Sequence, residues 1–185
     1  MVEADDEYTG LHSQDVVSLV VVVADRLGLD ARARQEAEFT ALLHDIGKVK
    51  IPKEIINKPG PLSAEEREII NTHTIEGEQM LEKIGGLLGD VGHFVRSCHE
   101  RWDGDGYPDG LEAERIPLVA RIVCACDAFS AMTTNRSYRQ AMSHADALEE
   151  LRRCAGTQFD PTVVEAIADV AVLAQPQPRL LLPAA

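Results

Sequence analysis

The sequence predicts an all-α fold. Apolar residues recur at three- and four-residue intervals in successive segments, and glycine, proline and capping residues stand where those segments would start and stop. No stretch alternates apolar and polar residues as a half-buried strand would. The 185 residues are enough for one domain with its own core. Aromatic residues make up only 4%, so aliphatic helix packing is expected to build that core.

The first segment, His12 to Leu27, is valine-rich enough for a buried strand. Its His12, Asp15 or Val16, Leu19 or Val20, and Val23 instead follow helical spacing, and Gly28 supplies a stop. A helix this apolar belongs at the centre. Ala31 to Ile46 forms a second helix, polar at first and apolar towards His44-Asp45, where Gly47 and Lys48 follow. Val49 to Pro52 reads as extended, and Lys58-Pro59-Gly60-Pro61 as a turn-forming loop. Ser63 and Glu66 form a capping box opening a helix that runs through His73 to Leu81. Gly85 and Gly86 break it, and Val91 to Glu100 makes a short helix ending in Cys98-His99-Glu100.

The next ten residues, Arg101 to Gly110, hold three glycines, a proline and the sole tryptophan, the composition of a shaped recognition loop. Pro117 suits the first turn of a helix whose inner face is expected at Leu118, Ile122, Ala125 and Phe129. Helices at His144 to Cys154 and Pro161 to Leu173 complete the core, and a proline-rich tail, 175–185, is expected to fray. The domain is therefore placed at 12–174, after an acidic lead of residues 1–11.

A net charge of −13 argues against a nucleic-acid polymer as partner, though not against a small anion, because bound cations invert a local field. The four cysteines lack both C-x-x-C spacing and the density of a disulfide framework, which fits a reducing, cytoplasmic setting. The most apolar run, Val16 to Ala24, is too short to span a bilayer, so no membrane insertion is expected. The acidic start is unlike a secretory signal and compatible with excision from a longer chain.

His12, His44, Asp45, His73, His99 and Asp127 all fall on predicted helices or at their ends. Imidazole and carboxylate are ordinary ligands for zinc, iron and manganese, and several helices offering one ligand each is how helical bundles build metal centres. With Asp45 bridging, two ions would sit close enough to activate a water and neutralise a phosphodiester during in-line attack. Adjacent residues on a straight helix diverge by about 100°, so His44 and Asp45 require a distorted turn to act together. The basic cluster Arg136, Tyr138 and Arg139 would suit a phosphate.

LLHDIGK, NKPGPLS, HERWDGDGYPDGL, CDAFSAMTTNRSYR and GTQFDP resemble the motifs of the HD-GYP family in order and spacing, from about His12 to Val170. The resemblance implies an α-helical HD-superfamily fold and metal-dependent hydrolysis of cyclic di-GMP to pGpG or GMP by a metal-activated hydroxide. It implies two or three ions, commonly iron or manganese. His12, His44, Asp45 and Asp127 would hold the basic site, and His73 and His99 the added one. Lys48 would contact the scissile phosphate, Arg136 and Arg139 the ligand's phosphates, and Tyr107 a guanine base. A homodimer and a signalling protein docked on the Gly-Tyr-Pro loop are family-level expectations.

Two departures qualify the match. Where the family has a histidine doublet, this chain has Cys98-His99, and a thiolate at Cys98 would shift preference towards zinc. Cys98 is equally suited to be a small buried hydrophobe. Tyr8 stands where three-metal members carry a glutamate ligand, so two metals at most are expected. Two competing functions remain: a cyclic di-GMP-binding effector with impaired catalysis, and a mononucleotide phosphohydrolase using only His12, His44, Asp45 and Asp127.

Overall fold

The protein was analysed as a computed structural model that describes the backbone of residues 3–135 and 140–173 and the side chains of 14–135 and 140–171. Arg136, Arg139 and the 175–185 tail lie outside the described residues, as do the side chains of Tyr8 and His12. The helices are α1 (Glu3–Arg26), α2 (Ala31–Leu43), α3 (Lys53–Ile56), α4 (Ala64–Asn71), α5 (His73–Ile84), α6 (Gly86–Ser97), α7 (Leu118–Thr133), α8 (His144–Arg153) and α9 (Pro161–Leu173), with 3₁₀ turns at Ile46–Lys50 and Ala113–Arg115. Among the described residues there is no strand, only an isolated bridge between Ala155 and Phe159.

The valine-rich segment is helical because its buried positions, Val16, Val20, Val23 and Ala24, form one helix face. α1 packs against α2, α7 and α9 and is central, as its apolar character requires. The main core joins that face to Ala37 and Ala41 of α2, Ile122, Cys126 and Phe129 of α7, Leu151 of α8 and Ile167 of α9. A smaller cluster, Leu81, Val91 and Val95 with Phe39 and Ile46 against it, ties α5 and α6 to α2. No described helix is long and apolar enough to cross a membrane.

Several boundaries differ from the sequence reading. α2 stops at Leu43 rather than Ile46, and Val49-Lys50 belongs to a 3₁₀ turn rather than an extended segment. The expected Ser63–Leu81 helix keeps its capping box but divides at Thr72, whose hydroxyl donates to the Ile69 carbonyl at 2.7 Å. α3 is a single turn, too short for periodicity to reveal. Leu118 is 36% exposed while Val119 is buried, so the inner face of α7 is rotated by one residue at its start.

The 3₁₀ turn rests directly on α5. A Cβ on Gly47 would run into the His73 carbonyl oxygen and stand 2.6 Å from Gly77 N, so only glycine permits this approach. Beyond the turn, Arg121 of α7 bonds Asp160 at 2.6 Å and the Ile116 carbonyl at 2.9 Å, and lies over the Trp102 ring. Asp160 Oδ1 also accepts from Thr162 N at the start of α9. Trp102 N and Asp103 N donate to the Gln158 and Thr157 carbonyls, so this clasp holds the glycine-rich loop to the α8–α9 connection.

Two stability predictions follow from these contacts. Gly47→Ala must push the turn off α5 and is expected to cost about 2–4 kcal/mol in urea unfolding; a change near zero would mean the approach is not required. Asp160→Ala leaves a buried guanidinium unpaired and is expected to cost about 3–5 kcal/mol by the same measurement. A loss below about 1 kcal/mol would remove the ion pair from the clasp.

Candidate metal centre

The centre begins with the end of α2. His44 retains helical angles (φ −55°, ψ −30°), whereas Asp45 moves to φ −101°, ψ 4°. That change takes Asp45 out of the helical progression and lets two adjacent side chains face one region. His44 Nε2 lies 3.6 Å from Asp45 Oδ2 and 3.8 Å from Asp127 Oδ1 on α7. His73 Nε2, at the start of α5, lies 3.6 Å from Asp45 Oδ1. The Asp45 carboxylate thus stands between His44 and Asp127 on one side and His73 on the other.

Backbone carbonyls orient two of the imidazoles. His44 Nδ1 is 2.7 Å from the Ala41 oxygen, and His73 Nδ1 is 2.7 Å from the Ile70 oxygen. A carbonyl only accepts, so each Nδ1 carries the proton and each Nε2 keeps its lone pair for the centre. Asp45, His73 and His99 bring ligand atoms within 4.8 Å of one another. Asp45 Oδ1, His73 Nε2 and His99 Nε2 are all buried without a hydrogen-bond partner. Three converging buried polar atoms without partners are costly in isolation, and a divalent cation satisfies such a carboxylate and imidazole set together. The donor set therefore fits a metal ion.

The charge states agree with ligation. Burial, reinforced by neighbouring His73, pushes His99 down to about 4, and burial also lowers His73. Both imidazoles are consequently neutral near pH 7, the form that ligates. Burial works to raise the Asp45 carboxyl, but His44 and Lys48 outweigh it and hold the group well below the ordinary carboxylate range. Lys48 Nζ donates to Asp45 Oδ2 at 2.6 Å while remaining 44% exposed, so it can meet an incoming anion.

Tyr107 borders the triad. Its ring stacks on His99 with centroids 5.2 Å apart and planes 17° off parallel, which covers one face of the tyrosine. Burial, with the Asp45 carboxylate nearby, pushes its hydroxyl above the ordinary range, so it stays a neutral donor. Cys98 is not part of the triad. It is 1% exposed within the main core, its thiol donates to the Phe94 carbonyl at 3.2 Å, and burial raises it well above the ordinary thiol range.

His12 lies on α1, and its side chain is outside those described; Arg136 and Arg139 are likewise outside. One residue that sequence reasoning passed over is Glu100, 2% exposed, whose oxygens accept from Asp109 N at 2.7 Å and Leu111 N at 3.0 Å. The signal for it was a carboxylate at a helix end beside His99 and ahead of a glycine-rich loop whose backbone donors have no helix or strand to pair them.

The family model described as HD domain matches residues 1–163. A cyclic di-GMP phosphodiesterase of Pseudomonas aeruginosa is 38% identical over 167 residues, 89% of this chain and 39% of that protein. One from Thermotoga maritima is 38% identical over 165 residues, 89% of this chain and 45% of that protein. A 3'3'-cGAMP-specific phosphodiesterase of Vibrio cholerae is 35% identical over 169 residues, 91% of this chain and 32% of that protein. The chain thus spans less than half the length of each of these relatives. Among solved structures, a cyclic GMP-AMP-specific phosphodiesterase of Vibrio cholerae superposes with TM-score 0.69 at 22% identity, covering 88% of this chain and 44% of that one. An HD-GYP-type protein of Bdellovibrio bacteriovorus gives TM-score 0.68 at 22% identity, covering 87% and 51%. At that identity the structures speak for the fold, while the family match speaks for kinship: this chain belongs to the HD domain family.

Proposed function

We propose that the chain is a metal-dependent phosphodiesterase that hydrolyses cyclic di-GMP to pGpG or GMP. The observation that carries this reading is the Asp45 carboxylate, with Oδ1 towards His73 and Oδ2 towards His44 and Lys48. Two divalent ions, iron or manganese, would be held by His12, His44, Asp45 and Asp127 on one side and by Asp45, His73 and His99 on the other. Such ions, when bound, supply an activated water and offset phosphodiester charge. Lys48 offers an exposed ammonium to a phosphate oxygen, Arg136 and Arg139 hold the nucleotide's phosphates, and Tyr107 offers its ring to a base. The names of the relatives support a cyclic dinucleotide as substrate. A homodimer and a signalling protein docked on the Gly-Tyr-Pro loop remain parts of this reading.

The effector alternative draws its strength from the cysteine at position 98. The burial of Cys98 in the main core weighs against it, because a residue that packs there leaves Asp45, His73 and His99 as an intact donor set. Ligation by Cys98 would also favour zinc, so its place in the core supports the iron or manganese assignment.

Metal content and cyclic di-GMP turnover should be measured together on protein purified without oxygen and supplied with iron, manganese or zinc. About two ions per chain with metal-dependent product are expected. Nucleotide bound but uncleaved under every metal would contradict the enzyme reading. Asp45→Asn, which keeps shape and removes charge, is expected to lower turnover more than about a hundredfold and to release metal. Cys98→Ala is expected to keep both metal and turnover while costing about 1–2 kcal/mol of stability. Loss of an ion in that variant would make Cys98 a ligand after all.

A further inference from the structure

Glu100 has no assigned part in the metal centre, yet its surroundings are specific. A carboxylate this buried is costly unless hydrogen-bonded, and each Glu100 oxygen accepts from a different loop amide, Asp109 N and Leu111 N. Among the described residues no ion pair reaches it, so those two amides carry its charge. The same loop closes on the neighbouring backbone. Tyr107 N donates to the His99 carbonyl at 3.2 Å, and a Cβ on Gly106 would come 2.5 Å from Glu100 Cα. Residues 99–101 and 106–111 therefore form one seated unit, with the Tyr107 ring stacked on His99 as its inward surface.

We propose that Glu100 is a positioning residue that clamps the 106–111 segment and thereby sets the Tyr107 ring against His99, which shares the donor set with Asp45 and His73. It acts through the loop and touches no reacting atom. Glutamine is not a neutral replacement here. Its amide has one acceptor oxygen, and its NH₂ would confront the second backbone N–H. The loop would lift at one of its two anchors, freeing the tyrosine and with it the orientation of His99. The kinetic part of this inference rests on the phosphodiesterase reading, whereas the structural part does not.

The test compares the wild-type chain with Glu100→Gln by three readouts: amide hydrogen exchange at Asp109 and Leu111, manganese affinity by titration, and cyclic di-GMP hydrolysis. Glu100→Gln is expected to keep a cooperative melt, to speed exchange at the one amide that confronts the new NH₂ and to weaken manganese binding about tenfold. It should lower kcat/KM about ten- to a hundredfold, mainly through KM. In a Tyr107→Ala background the same substitution should cost less than about threefold more, because its route of action is already gone. Faster exchange with unchanged manganese affinity and kcat/KM, or fully additive losses with Tyr107→Ala, would overturn the proposal. Should Glu100→Gln fail to fold, Gly106→Ala decides, since it lifts the same segment and leaves the carboxylate; manganese affinity equal to wild type would then overturn it. If wild type neither binds nor cleaves cyclic di-GMP, the phosphodiesterase reading fails, and the exchange and manganese readouts still decide the role of Glu100.

Discussion

A single carboxylate shared between two sets of imidazole and carboxylate groups is the constraint on which the molecule depends. Asp45 can occupy that place only because the chain leaves helical geometry at this residue, with ψ near 4° where α2 would have continued. Its negative charge survives burial because Lys48 and His44 stand against it. Neutral His73 then confronts it with the Nε2 lone pair, and His99 joins them uncharged. Without a cation this is a cluster of buried polar atoms without partners, and with one it is a set of ligands. Binding energy released there would be expressed partly as stability of the surrounding helices.

The packing around the site is arranged to hold that turn in place. Gly47 brings the 3₁₀ segment into backbone contact with α5 at His73. Ile46 packs on the cluster between α5 and α6, and α6 leads directly into His99. On the opposite side the aliphatic core fixes α1 against α2 and α7, and α7 carries Asp127. The glycine-rich loop is in turn seated by Glu100 and by the Arg121–Asp160 clasp. Ligands that lie far apart in sequence thus converge because each is carried by an element with its own reason to be where it is.

Helical periodicity made most of this legible in the sequence. The buried face of α1, the capping box at Ser63, the inward position of His73 and the helix starting after Pro117 all follow from spacing and end signals. Less legible was anything that depends on close backbone approach. The distorted turn that His44 and Asp45 require occurs at Asp45 itself, while Gly47 must be small because α5 passes against it. Glu100 was hidden for the same reason, since its partners are backbone amides nine and eleven residues later and leave no side-chain pattern. Cys98 read equally as a ligand or a small buried hydrophobe by its place in the motif, and it packs in the main core.

The central claim is that Asp45, His73 and His99 meet at one cation. Diffraction from crystals grown without oxygen in manganese, recorded on both sides of the manganese absorption edge, tests it most directly. An anomalous peak within coordination distance of Asp45 Oδ1, His73 Nε2 and His99 Nε2 is the predicted result. A peak coordinated by Cys98 Sγ, or no peak beside these three atoms at saturating manganese, would contradict it.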